Sequence, residues 1–181
     1  MDRNEFSQDI EALITEYEKR IYNLLLSLSG NADEAKDLTQ ETFIKTYLKL
    51  CSFQNKSDIY TWLYRIAINC WKNKLRYNYS RGFLLTSSLD SITDNESFAL
   101  KENLKTSELA IEQSLDNSEI CKLITKEIHQ LPPKYKIPIT LYIKELTIEE
   151  IAKILDCRVG TAKSLISRAK DRLKDRILPR I

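Results

Sequence analysis

One hundred and eighty-one residues, 43% hydrophobic and 30% charged, suit one ordinary domain or two small ones and fit neither a disordered nor a membrane-embedded chain. Three Gly, four Pro and a single His supply too little turn chemistry for a β-sandwich or barrel, and almost nothing for a Ser-His-Asp triad, a glycine-rich phosphate cradle or a histidine-based metal site. No apolar run reaches the roughly 18 residues of a membrane span, and the polar, acidic start MDRNEFSQDI is unlike a signal peptide. The expectation is a soluble, mostly helical, cytoplasmic protein that is not an enzyme, has no catalytic residues, and needs no cofactor or metal.

In chain order, Phe6, Ile10, Leu13, Ile14, Tyr17, Ile21, Leu24, Leu25 and Leu28 recur at spacings of three and four, which predicts an amphipathic helix over 5–29. Gly30 stops it, and Asn31 with Glu34 starts the next, the Asn side chain capping free N–H groups. In that second helix, about 32–51, Ala35, Leu38, Phe43, Ile44, Tyr47, Leu48 and Leu50 wrap over half the circumference. Either it is the central helix of its domain, or part of its apolar face awaits a partner.

Ser57 is placed to cap a third helix, about 58–77, whose buried stripe is Ile59, Leu63, Ile66, Ala67 and Cys70. Arg65, Asn69, Lys72 and Arg76 fall on another single face. Trp62 lies between the two, with Trp71 and Tyr77 nearby, so base stacking is available in principle. From Asn78 the periodicity dissolves into a Ser-, Thr-, Asp- and Asn-rich stretch that predicts a linker, partly helical near 108–115.

Beyond it, Ile120, Leu123, Ile124, Ile128 and Leu131 form a helix ended by Pro132 and Pro133, and a further helix follows at about 134–145, kinked by Pro138. Thr147, Ile148, Glu149 and Glu150 read as a capping box that opens a short helix with Ile148, Ile151, Ala152 and Leu155 inward. Residues 156–160 supply a turn. The last helix puts Ala162, Ile166, Ala169 and Leu173 in the core, and Lys163, Ser167, Lys170 and Lys174 outside. Two short helices crossing closely at Ala152, the second one basic outside, predict a helix-turn-helix. The plainer alternative is an αα-hairpin with a solvated lysine face.

The net charge of +2 conceals segregation. Residues 59–82 carry five basic and no acidic groups, and residues 156–181 carry eight basic and three acidic, while 83–118 between them carry two basic and seven acidic. Two cationic segments separated by an acidic one suit two attachment points on a polyanion. Cys51, Cys70, Cys121 and Cys157 are scattered with no C-x-x-C, as expected of small buried or half-buried hydrophobes in a reducing compartment rather than of zinc ligands.

The run Glu34-Ala35-Lys36-Asp37-Leu38-Thr39-Gln40-Glu41-Thr42-Phe43 resembles the E-A-x-D-L-x-Q-E-x-F segment of sigma factors of the extracytoplasmic function (ECF) group. Trp62-Leu63-Tyr64-Arg65-Ile66-Ala67-Ile68-Asn69 is similar to that group's W-L-x-R-I-A-x-N helix. Leu131-Pro132-Pro133-Lys134-Tyr135-Lys136, Ile148-Glu149-Glu150-Ile151-Ala152 and Gly160-Thr161-Ala162-Lys163-Ser164 resemble its C-terminal domain, in the same order. The resemblance implies an all-α protein with two small helical domains, 1–78 and 118–181, joined by a flexible acidic linker over 79–117. It implies a transcription initiation factor that binds RNA polymerase core and directs promoter-specific initiation.

By the same resemblance, Asp37, Leu38, Gln40, Glu41 and Phe43 dock on the clamp of the beta-prime subunit, and the C-terminal domain meets the beta flap. Asn55, Lys56, Ser57, Asp58, Trp62, Arg65, Asn69, Lys72, Asn73 and Arg76 recognise and help melt the minus-ten element. Arg158, Thr161, Lys163, Ser164, Ser167, Arg168 and Lys170 read the minus-thirty-five element as duplex. The acidic linker lies in a polymerase channel that is otherwise the path of RNA, and an anti-sigma factor holds the chain, in some cases at a membrane that the chain does not itself enter. Asn73 stands where the family often has Asp, Leu165 where it often has Arg, and Arg158 where a Ser or Pro usually starts the helix; these departures bear on promoter sequence. From the residues alone, a helix-turn-helix regulator with a sensing or dimerising N-terminal domain is the alternative, with a protein-binding helical adaptor behind it. Residues 34–76 speak against both, since neither needs a polymerase-docking segment or an acid-free, Trp-containing helix.

Overall fold

The computed structural model describes residues 3–50, 58–86 and 119–180, with side-chain surroundings for 13–50, 58–80 and 121–179. All regular structure among the described residues is helical: α1 Arg3–Ser29, α2 Ala32–Leu50, α3 Ile59–Thr86, α4 Glu119–His129, α5 Pro133–Ile143, α6 Ile148–Leu155 and α7 Val159–Ile177, followed by a 3₁₀ turn, Leu178–Arg180. Asn55, Lys56, Ser57, Cys51 and the linker fall wholly or largely outside the described residues.

The α1–α2 corner forms as its residues dictate. Gly30 takes φ +75, a conformation that costs an L side chain about 1–2 kcal/mol, and its N–H closes back on Leu26 O at 2.9 Å. Asn31 Oδ1 then accepts the Glu34 N–H at 2.9 Å, satisfying one of the unpaired donors of the new helix. Leu24, Leu25 and Leu28 of α1, Ala35 and Leu38 of α2, and Leu63, Ala67 and Cys70 of α3 make the first core.

In α2 the buried stripe is not the one that hydrophobicity suggests. Thr39, Thr42 and Thr46 are buried, each hydroxyl donating to the carbonyl four residues earlier at 2.7, 2.7 and 2.8 Å. Such bonds satisfy the hydroxyl within its own helix and let threonine serve as a core residue. Ile44 and Leu48 are displaced outward and stand 61% and 71% exposed. Of the two readings of this helix, the unfilled apolar face is therefore the one observed. In α3, Thr61, Leu63, Tyr64, Ile66, Ala67, Ile68, Cys70 and Trp71 are all buried, with α1, α2 and α6 packed on the helix. It also runs to Thr86, through Gly82 and past the expected end near Tyr77; no proline interrupts it, and Ser80 Oγ donates to Arg76 O at 2.9 Å.

In the second domain Pro132 and Pro133 do not so much end α4 as begin α5, with Pro133 in its first turn, where a missing N–H is harmless. Pro138 lies within α5 and is buried. Thr147 and Glu150 form the expected capping box: Thr147 N–H donates to Glu150 Oε2 at 2.8 Å, and Glu150 N–H donates to Thr147 Oγ1 at 3.3 Å. Asp156 closes α6 in the left-handed conformation, φ 54. The turn is shorter than expected, because Val159 and Gly160 already belong to the first turn of α7. Arg158 is the N-cap residue of α7 and its side chain caps nothing. Ala162, Ile166, Ala169 and Leu173 are the buried face of α7, as the spacing predicts. Glu127 of α4, wholly buried, forms an ion pair with Arg176 of α7 at 3.7 Å. Of the cysteines, Cys70 is buried, Cys157 half-buried and Cys121 exposed, so the last is not the buried or half-buried hydrophobe expected.

The two domains pack on each other, α1 against α4 and α5, and α3 against α6. Between them lies an open cavity of about 600 Å³ lined by Tyr17, Arg20, Tyr60 and Tyr64 on one side and Lys144 and Glu150 on the other.

Candidate nucleic-acid interface

Three surfaces present the residues singled out above. On α7, Thr161, Lys163, Ser167, Arg168 and Lys170 are exposed and Ser164 is half-buried, an arrangement fixed by the four-residue core stripe on the opposite side of the helix. Arg158 is exposed at its start. With Ala152 buried between them, α6 and α7 make a helix pair whose second member carries these polar and basic residues along its outer face. Lys170 Nζ sits 3.9 Å from the centroid of the Tyr142 ring, a cation–π contact that orients the ammonium. Tyr142, Ile143 and Val159 are exposed beside it.

On α3, Asn69, Asn73 and Arg76 are exposed and Arg65 and Lys72 half-buried, so the cationic stripe exists as a face. Arg76 Nη1 donates to Asn73 Oδ1 at 3.2 Å. Asp58 is exposed and its carbonyl accepts the Trp62 N–H at 3.1 Å, while the Trp62 ring is half-buried. Trp71 is buried, which removes it as a stacking platform for bases; Tyr77 and Tyr79, both 54% exposed, are the aromatics on the surface of this helix. Arg65 has other business: its Nε donates to Lys153 O at 2.9 Å, and its Nη2 donates to the same carbonyl and, at 3.3 Å, to Asp156 Oδ1.

On α2, Asp37 and Gln40 are exposed and Glu41 half-buried, whereas Leu38 and Phe43 of the same motif lie in the core, 2% and 9% exposed. Ile44 and Leu48, one and two turns beyond Gln40, are the apolar groups this surface actually offers. Glu41 forms an ion pair with Lys45, and that hydrogen bond is the first reason the Lys45 ammonium is held above its usual pKa. Glu34, at the start of the helix, has its carboxyl pushed up by burial, against the pull of Lys74 and Lys136.

No pattern in the sequence marks the group at the domain junction. Lys136 of α5 is 6% exposed. Its Nζ donates to His129 Nδ1 at 3.1 Å and to His129 O at 3.4 Å, and lies 5.6 Å from the Trp71 ring centroid. Burial lowers its pKa to about 8, Glu34 pulling the other way. Burial first, and Lys136 second, lower His129 to about 4. The ring is therefore neutral near pH 7, with Nδ1 the acceptor assigned from its partner. No group of His, Cys, Asp and Glu among the described residues is arranged to hold a metal ion, and no helix among them is long and apolar enough to cross a membrane.

Residues 13–81 match the family described as Sigma-70 region 2, and residues 121–173 the family described as Sigma-70, region 4. The chain is 34% identical over 168 residues to the ECF RNA polymerase sigma-E factor of Haemophilus influenzae, covering 92% of this chain and 86% of that one. It is 36% identical to the RNA polymerase sigma-H factor of Pseudomonas aeruginosa, covering 93% and 86%. To the ECF RNA polymerase sigma factor SigW of Bacillus subtilis it is 33% identical, covering 89% and 84%. Among solved structures it resembles the sigma factor RpoE of Bartonella quintana in complex with the anti-sigma factor NepR, with a TM-score of 0.67 at 25% identity over 93% of this chain and 96% of that one. It shares the fold of CnrH in complex with the cytosolic domain of CnrY, TM-score 0.62 at 15% identity over 94% and 88%.

Proposed function

The chain belongs to the ECF sigma factors of the sigma-70 family, which direct promoter-specific initiation by RNA polymerase, and we propose that its two cationic helices divide one promoter between them. The face of α7 reads the upstream, minus-thirty-five element as duplex. The face of α3, with the segment before it, takes the minus-ten element as it opens. Asp37, Gln40 and Glu41, with Ile44 and Leu48 added and Leu38 and Phe43 removed, form the surface that docks on the polymerase clamp. The observation that carries this reading is the two-sided α7: a wholly buried aliphatic stripe and, opposite it, an exposed row of Thr161, Lys163, Ser167 and Arg168.

Each cationic segment alone provides only a few phosphate contacts, each adding about 0.9 to the slope of log affinity against log salt. Such binding is weak and sequence-tolerant. Held at a fixed separation by polymerase, the second contact becomes effectively intramolecular, and avidity can rise by about 10²–10⁴ without any new contact. An anti-sigma factor is the natural competitor, because the RpoE relative is solved with one; exposed Ile44 and Leu48 offer it the same apolar ground as the clamp.

Transcript mapping with reconstituted polymerase tests the assignment. Lys163→Glu with Arg168→Glu should abolish initiation at promoters that need the upstream element while leaving co-elution with core polymerase intact. Asp37→Lys with Glu41→Lys should do the reverse and lose co-elution. If charge reversal on α7 leaves start sites unchanged, the face has been misassigned.

A further inference from the structure

We infer that the open cavity between the two domains is a small-molecule site for a nucleoside phosphate, its phosphate held by Arg20 and Lys144 and its base laid against Tyr60. This site stands apart from the promoter assignment. At about 600 Å³ the cavity has the size of one that takes a small organic ligand rather than a lone ion. Its walls come from both domains: α1 gives Tyr17 and Arg20, α3 gives Tyr60 and Tyr64, and the chain from the end of α5 into α6 gives Lys144 and Glu150. Two of these groups are cations without a counter-ion, since among the described residues neither Arg20 nor Lys144 forms an ion pair. Lys144 is half-buried, and burial alone pushes its ammonium below the ordinary pKa. An acid within range would have pulled it up. Glu150 is committed elsewhere: its Oε2 accepts from the Thr147 N–H at 2.8 Å and from the Thr147 hydroxyl at 2.9 Å. A half-buried ammonium with no opposite charge gains from a ligand that brings one. Arg20, exposed on the wall of the first domain, can fork onto the same anion.

The other half of the site is aromatic. The Tyr60 ring centroid lies 4.4 Å from that of Tyr64 and 6.2 Å from that of Tyr17. Tyr64 and Tyr17 are buried and brace Tyr60, which is half-buried and keeps part of its ring open. Burial pushes all three phenols up, so the hydroxyls keep their protons and remain donors at neutral pH. Every nucleobase has a π-face to lay on such a ring. Base and sugar also carry N–H or O–H donors, and the exposed carboxylate of Glu145 lines the same cavity as their acceptor. Glu145 is held there at φ 65, where glycine would be unstrained. Inorganic phosphate would leave the rings unused, and an uncharged nucleoside would leave the cations unused. A nucleoside phosphate uses both.

Isothermal titration calorimetry of the full chain at low salt tests the site, with ATP, GTP, adenosine and inorganic tripolyphosphate as the probes. ATP and GTP should each bind, more tightly than tripolyphosphate by about tenfold through stacking, and more tightly than adenosine by about tenfold or more through the two cations. Lys144→Gln and Arg20→Gln should each weaken ATP by about tenfold, and Tyr60→Leu by about fivefold or more, with folding checked by circular dichroism. The probe series on the unaltered chain decides the matter even where a variant fails to fold. Failure of ATP and GTP to bind at millimolar concentration overturns the inference, as does tripolyphosphate or adenosine binding as tightly as ATP. So does ATP binding that Lys144→Gln and Arg20→Gln leave unchanged. Loss of ATP binding in a Lys163→Glu, Arg168→Glu chain, with Lys144→Gln without effect, would place the nucleotide on the outer face of α7 and overturn it as well.

Discussion

Gly30→Ala separates the local from the interdomain role of one residue. The substitution meets two penalties of different origin. At φ +75 any Cβ costs about 1–2 kcal/mol, whatever surrounds it. The new methyl would also stand 2.9 Å from His129 Cε1 and 3.0 Å from Nδ1. A free imidazole would swing aside, but this one is held by Lys136 Nζ at 3.1 Å, so relief breaks a hydrogen bond worth about 0.5–1.5 kcal/mol net. The sum is about 1.5–3.5 kcal/mol for Gly30→Ala alone and about 1–2 in a His129→Ala background. A double-mutant cycle by urea unfolding should therefore return a coupling of about 0.5–1.5 kcal/mol. Gly30 and His129 belong to different domains, so coupling arises only if the domains are packed in solution as described. A coupling below the about 0.3–0.5 kcal/mol within which independent sites add would refute the contact.

His129 gives the packing of the two domains an acid limit. Its pKa is about 4 in the packed chain against about 6.5 when released, so the released form binds the proton first. Stability from this group is present above pH 6.5 and is lost as pH falls toward 4, by roughly 1–2 kcal/mol at pH 5 after discounting for the partly exposed ring; Trp71 emission should follow, and a flat profile in that window would count against it. Lys136 runs the same way at the alkaline end: lowered to about 8, it stabilises the packed form progressively as pH rises from about 8 to 10.5, where the released form alone is still protonated. Thr147→Ala removes the hydroxyl that accepts the Glu150 N–H and is one of the two donors to its carboxylate, the backbone N–H remaining, and should lower the stability of the second domain by about 0.5–2 kcal/mol in urea melts. Ala152→Leu overpacks the crossing of α6 and α7 at a 3% exposed site, at a cost of about 1–3 kcal/mol; upstream-element recognition should fall while clamp binding persists.

What the sequence made legible is what depends on neighbours in the chain. The Gly30–Asn31 corner, the Thr147–Glu150 box and the core stripe of α7 are local patterns, and each appears where its residues place it. The differences lie where one helix meets another. An apolar count of α2 leaves open whether Ile44 and Leu48 are covered, because it scores threonine as polar; the i−4 bonds of Thr39, Thr42 and Thr46 let those three take the buried positions. Leu38 and Phe43 share a motif with Asp37, Gln40 and Glu41, yet they face the core, since a helical motif has an inner side as well as an outer one. Trp71 is buried with the Lys136 ammonium of the other domain near its ring, and Lys136 in its basic, proline-led segment has no pattern that predicts burial. No periodicity within one helix records what a distant segment of the chain lays across it.

The polar contacts between the two domains are individually weak. The Arg65–Asp156 pair, with Asp156 91% exposed, contributes about 0–1 kcal/mol. The guanidinium bonds to Lys153 O are worth about 1.5–3 kcal/mol if dry, and less for a side chain 36% exposed. The Lys136–Trp71 contact adds about 0.5–2 kcal/mol, but burying that ammonium costs part of it back, which is why its pKa falls. These polar contacts sum to a few kcal/mol at most, and they act beside the buried apolar side chains of both domains, which form one continuous cluster. The polar groups therefore set which faces meet, while the apolar cluster supplies the rest of the packing.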